Sequence, residues 1–175
     1  VRAGMGRRGL DGCCGPRGNW GQVEYVPRGS EGLKWLTGFS GSDGVALVMT
    51  DRASIFVDGR NTLQVRAEVD LAVFAIESLI ATPPPEWLKQ NIGKGARLGF
   101  DPWLHTIGEV KALKAAAEEK GAELVAVDAN PIDGLWADQP APPLEPVAIH
   151  PIEFAGELAR DKLARLARGI EGQGA

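Results

Sequence analysis

Arg97-Leu98-Gly99-Phe100 and Glu123-Leu124-Val125-Ala126-Val127 bracket the stretch Thr106-Ile107-Gly108-Glu109-Val110-Lys111-Ala112-Leu113-Lys114-Ala115-Ala116-Ala117-Glu118-Glu119-Lys120-Gly121. The two outer segments are short and apolar, as strands are. The middle opens on Thr-x-x-Glu, a capping box in which hydroxyl and carboxylate each satisfy an orphan amide. Val110, Leu113 and Ala117 recur at three- and four-residue spacing, so they share one helical face. Gly121 suits the left-handed residue that ends a helix. The stretch therefore reads as strand, helix, strand.

The same texture extends upstream. Val45–Thr50 and Ser54–Val57 are β-branched apolar runs around Asp51-Arg52-Ala53, which reads as a hairpin. Leu33–Thr37 is short and apolar. Asn61–Val69 is spaced as a short helix. Leu71–Ile76 is a near-continuous apolar run, as in a strand buried on both faces. Pro83-Pro84-Pro85 precedes a helix over Glu86–Ile92, closed by Gly93 and Gly95. Strands alternating with helices predict an α/β fold, and the hairpin makes the sheet mixed.

The two ends differ from this middle. Val1–Trp20 holds six glycines, four arginines and both cysteines, and no helical or strand period runs through it. It predicts a disordered or non-native tail over residues 1–21. The folded domain is expected over 22–139, and a stiff linker over 140–152, where Pro140, Pro142, Pro143, Pro146 and Pro151 cluster. Residues 153–175 begin a second, truncated domain, with a helix over Glu157–Ile170 carrying Leu163, Leu166, Ala167 and Ile170 on one stripe.

Composition narrows the function. The chain has 175 residues, 44% apolar and 24% charged, with net charge −4, which is ordinary for a globular protein. It has no basic stripe of the kind that binds nucleic acid. No apolar run is long enough to span a membrane. Two adjacent cysteines, Cys13 and Cys14, make no disulfide framework and suit a reducing compartment.

Complete chemistry is absent from the sequence pattern. Gly38, Gly41 and Gly44 precede a strand rather than a helix, so they read as a bend and not a phosphate cradle. His105 and His150 lack ligand-spaced partners and read as surface or capping residues. Asp58, Asp101 and Asp128 each follow a strand. They admit two readings: turn residues, or a Mg²⁺ site as in a small metal-dependent nuclease. Arg60, just past Asp58-Gly59, is the charged residue placed to reach a ligand, with a surface salt bridge as its other reading.

Five segments carry a resemblance: EYVP at 24–27, WLTGFSGSDG at 35–44, FVDGR at 56–60, LGFDPWL at 98–104 and NPIDGLWADQPAPP at 130–143. In this order they resemble the non-catalytic N-terminal region of three-domain Xaa-Pro aminopeptidases, in the creatinase/prolidase group. Asn61 departs where an aromatic residue is usual, and Asp43 where a small one is. The family's opening helix and strand find no match in Val1–Trp20.

The resemblance implies a ribonuclease-H-like mixed α/β sheet and a cytoplasmic parent. That parent removes the residue before a proline in second position of a peptide. Two divalent metals, manganese as a rule, sit in its catalytic domain, and the parent is a homodimer. Nothing in this chain matches the metal ligands, so no cofactor, catalytic residue or metal residue is assigned to it. The resemblance implies a peptide contact for Arg60 and a domain that narrows access to the catalytic one. The competing expectation is a free-standing binding or interaction module.

Overall fold

The computed structural model describes residues 1–174. It divides into two units, Val1–Pro142 and Pro143–Ala175. The first is built on a six-stranded sheet in the order β4-β3-β2-β1-β5-β6. The strands are β1 (Gly12–Pro16), β2 (Val45–Met49), β3 (Ala53–Val57), β4 (Ala75–Ser78), β5 (Arg97–Phe100) and β6 (Glu123–Ala126). Only β2 runs against its neighbours; β1 pairs parallel with β5, β3 with β4, and β5 with β6. The mixed α/β sheet expected from the sequence is present.

The expectation of a disordered or non-native tail over residues 1–21 is overturned. Arg2–Arg7 forms helix α1, and Gly12–Pro16 is a central strand, hydrogen-bonded to β2 on one side and β5 on the other. Composition misled because a strand covered on both faces tolerates small side chains. Gly12 is closely approached: a Cβ there would lie 2.5 Å from Met49 Sδ and 3.0 Å from Leu98 Cδ1, so both side chains would have to shift. Asp11 Oδ2 accepts from the Arg97 amide, and Arg97 Nη1 donates to Gly9 O, which fixes the segment against β5.

Two apolar layers flank the sheet. Met5, Leu10, Cys13, Leu33, Phe39, Val48, Ile55, Val57, Val65 and Phe74 pack on one face. Cys14, Leu47, Phe56, Trp87, Leu88, Leu98, Phe100 and Leu113 pack on the other. Cys13 and Cys14 thus point to opposite faces, as strand alternation demands. Helices α2 (Gly32–Thr37), α3 (Thr62–Glu68), α4 (Pro84–Asn91) and α5 (Ile107–Glu119) supply the covering side chains.

The α5 capping box forms as read: Thr106 Oγ1 accepts from the Glu109 amide and Glu109 Oε2 accepts from the Thr106 amide at 2.7 Å. Gly121 is left-handed at φ 67°. The apolar run Leu71–Ile76 is only partly a strand. Its first half turns, with Val73 and Phe74 amides bonded to Asp70 O, and β4 begins at Ala75. Apolar character there serves Phe74, which plugs the first layer.

The second unit holds two helices, α6 (Ile152–Ala155) and α7 (Ala159–Glu171). Leu163, Leu166 and Ile170 of α7 are exposed.

Candidate functional site

The C-terminal ends of β1, β3, β5 and β6 lie along one sheet edge, where α/β folds place their ligand-binding loops. The segment that enters the antiparallel β2 lies at the same edge.

Arg60 follows β3. Asp58 begins a 3-10 turn over Gly59–Asn61, and its Oδ1 accepts from the Arg60 amide at 2.9 Å. Asp58 Oδ2 accepts from Arg60 Nε at 2.8 Å and pairs with Nη2. The carboxylate thus grips one side of the guanidinium fork. The Arg60 side chain is still 71% exposed, and its Nη1 has no hydrogen bond among the described residues. The hydrogen bond from Arg60 holds the Asp58 carboxyl below its ordinary range, and Asp58 raises Arg60 in turn, with smaller contributions from Asp43 and Glu24. The salt bridge expected from the sequence is present, and the arginine it holds remains exposed.

Asn61, which departs from the resemblance, turns inward. It is buried, and Nδ2 donates to Asp58 Oδ1 at 3.1 Å. The amide does locally what capping amides do and helps fix the carboxylate.

The Gly-rich bend packs against this turn. Gly38 is left-handed at φ 83°, and a Cβ there would lie 2.9 Å from Glu68 O. A Cβ on Gly41 would meet the Phe39 ring and stand 2.7 Å from Asn61 Oδ1. Glu68 ties the bend down by accepting from the Ser40 amide and hydroxyl, both at 2.8 Å. The Ser40 amide, then Gln64, hold the Glu68 carboxyl low. The bend starts at the C-cap of α2, and a strand rather than a helix follows the glycines, so they do not open a helix N-terminus.

The loop after β1 crosses the same edge. The Arg17 amide donates to Gly44 O at 2.8 Å, and Arg17 Nη1 to Glu24 O at 3.0 Å. Asn19 caps a turn in which Gln22 is left-handed at φ 50°. Trp20 from this loop meets Trp103 from the loop after β5, ring centroids 5.6 Å apart. No periodic signal marks this pair, because each tryptophan lies in a loop.

The three aspartates do not assemble. Asp58 serves Arg60 and Asn61, while Asp101 Oδ1 accepts from the Trp103 amide. β3 and β5 are separated by β2 and β1, three strand spacings, about 14 Å. No group of three His, Cys, Asp or Glu side chains converges among the described residues.

His105 is more than a surface residue. Its Nδ1 lies 2.8 Å from Asp101 O, its Nε2 3.3 Å from Cys14 Sγ, and its ring meets Phe100 edge-on. A carbonyl only accepts, so Nδ1 carries hydrogen and the Cys14 thiol faces Nε2. Burial pushes the Cys14 thiol up strongly, and Cys13 up to about 11, so both are poor nucleophiles.

Comparison with known proteins identifies the family and the fold. The Creatinase/Prolidase N-terminal domain matches residues 1–135, including the segment read as a tail. Aminopeptidase P1 of Lotus japonicus is 34% identical over 163 residues, covering 92% of this chain and 24% of its own length. The chain spans about a quarter of the curated relatives it matches. An X-prolyl aminopeptidase from Caenorhabditis elegans, described as a cytosolic enzyme with a di-nuclear active site, superposes with a TM-score of 0.83. Its sequence identity is 24%, over 95% of this chain and 28% of that one. The N-terminal domain of the cytoplasmic peptidase PepQ of Mycobacterium tuberculosis superposes with a TM-score of 0.56 and 26% identity, over 77% of this chain and 93% of that one.

Proposed function

Because the chain belongs to the creatinase/prolidase N-terminal domain family, we propose that it is the non-catalytic N-terminal part of a metal-dependent Xaa-Pro aminopeptidase. Relatives bearing that name support the reading, and the chain matches their N-terminal domain. The parent removes the N-terminal residue from peptides with proline second, and this domain shapes access to its catalytic part. The two divalent metals, manganese in this reading, belong to that catalytic part. A cytoplasmic homodimer is part of the same proposal.

Arg60 carries the reading. It is the substrate contact, with the Asp58 grip setting its direction. An exposed guanidinium keeps donors for peptide carbonyls that a lysine could not present in one plane. Backbone amide NMR of this chain, titrated with Ala-Pro-Ala, tests it. Shifts should appear at 58–61 and in the 38–44 bend, and Arg60→Ala should weaken binding about tenfold. Binding that ignores Arg60→Ala would remove the arginine from the site.

A further inference from the structure

Helix α1 and the loop after β6 enclose a recess of about 110 Å³, lined by Arg7 and Arg8 on one side and by Pro131, Gly134 and Leu135 on the other. A single water needs only about 10–15 Å³, so the recess has room for a polyatomic ion. Both guanidinium groups reach it. Arg7 Nη2 lies 3.9 Å from where a Cβ on Gly4 would stand, and Arg8 Nη2 lies 3.9 Å from the corresponding point on Gly134. The missing side chains at these two glycines leave open the space that the arginine ends border. The lining holds no carboxylate. Arg7 makes no hydrogen bond or ion pair among the described residues, and Arg8 uses one donor, Nη1, on Ala129 O at 2.7 Å. Like charges side by side repel, and nothing in the lining offsets them. The walls are fixed by the fold. Met5 anchors α1 and Ile132 anchors the loop, both buried. Asn130 Oδ1 accepts from the Ile132 amide at 2.9 Å, and the Trp136 amide donates to Ile132 O at 3.0 Å.

We infer that this recess binds a phosphate group, as the free ion or as part of a small molecule, between Arg7 and Arg8. The site uses none of the residues of the Arg60 turn and does not depend on the peptide contact proposed there. Guanidinium groups suit the ligand, because their planar forks give paired, charge-assisted hydrogen bonds to phosphate oxygens. A phosphate presents oxygens in several directions, so it can engage both arginines at once. A carboxylate has two oxygens in one plane and satisfies one fork. Arg8 is already held by its bond to Ala129 O, so gripping a ligand costs it less side-chain freedom. Leu135 and Pro131 add an apolar wall, which lowers the local dielectric and strengthens the attraction between cations and anion.

Backbone amide NMR of the full chain tests this, with titrations of sodium phosphate, glycerol phosphate and sodium acetate in about 0.15 M sodium chloride to screen loose surface attraction. Saturable shifts should appear at the amides of Arg7, Arg8, Gly134 and Leu135 and not at 58–61, with a phosphate Kd of about 1 mM or tighter. Acetate should bind about tenfold more weakly, since it engages one fork. Tighter binding of glycerol phosphate than of the free ion would assign the site to phosphorylated small molecules, and the reverse order to inorganic phosphate. Arg7→Ala removes a side chain with no partner in the fold, so it should weaken phosphate about tenfold and leave Tm unchanged. Arg7→Lys should recover only part of that loss. Gly134→Asp sets a carboxylate beside Arg8 Nη2 with no contact closer than 3.9 Å at its Cβ, and should displace phosphate from a chain that still folds. The absence of saturable shifts, phosphate binding that ignores both Arg7→Ala and Gly134→Asp, or acetate binding as tightly as phosphate would overturn the site and leave only general surface charge.

Discussion

Gly41 shows how little freedom the edge loops have. A methyl group there would enter the Phe39 ring, itself buried, and crowd Asn61, which holds Asp58. Gly41→Ala should cost about 1–3 kcal/mol, the usual range for overpacking a filled site. Gly59→Ala, one turn away, meets nothing within 4 Å and should stay within about 0.5 kcal/mol of the parent. Chemical denaturation of both variants checks the contrast. Asp58 gives a pH signature. Its folded pKa is depressed, so its contribution is present above the ordinary carboxylate range and lost as pH falls through the lower folded value. Asp58→Asn should therefore be less stable than the parent at pH 7. The gap should begin to shrink below about pH 4, where the unfolded carboxylate protonates, and close once pH falls below the lower folded value. A gap that does not shrink at all as the pH falls from 7 into the acid range would mean that shape, not charge, fixes the turn.

At the scale of elements, β1 decides whether the sheet exists. It joins β2 to β5, so without it the sheet falls into two pieces, each with a bare edge. Met5 of α1 is fully buried against this strand's layer. Met5→Ala should cost about 2–5 kcal/mol. Deleting residues 1–16 should abolish cooperative thermal unfolding followed by circular dichroism. A truncated chain that still melts cooperatively would return these residues to the status of a tail.

The strand–helix–strand of residues 97–127 was legible because period, cap and glycine agree locally. The segment Gly12-Cys13-Cys14-Gly15-Pro16 was not, because its strand character comes from neighbours on both sides rather than from its own side chains. Arg60 was legible as a strand-end cation. Its hold by Asp58 was foreshadowed only by the Asp-x-Arg spacing that lets an aspartate cap the amide two residues on. The Trp20–Trp103 meeting joins loops 83 residues apart in sequence and leaves no pattern in either.

At the scale of the whole molecule, the proposed peptide contact at Arg60 is to be read in the kinetics of a larger protein. The most direct measurement is kcat/KM for an Xaa-Pro peptide in a chimera where this chain replaces the matching quarter of Aminopeptidase P1. Arg60→Ala should lower kcat/KM ten- to a hundredfold, about 1.4–2.7 kcal/mol of transition-state stabilisation. Tm should stay unchanged because the side chain is exposed, and Arg60→Lys should recover only part of the loss. Full activity in Arg60→Ala with a melting point several degrees lower would contradict the account and leave Arg60 as a structural partner of Asp58.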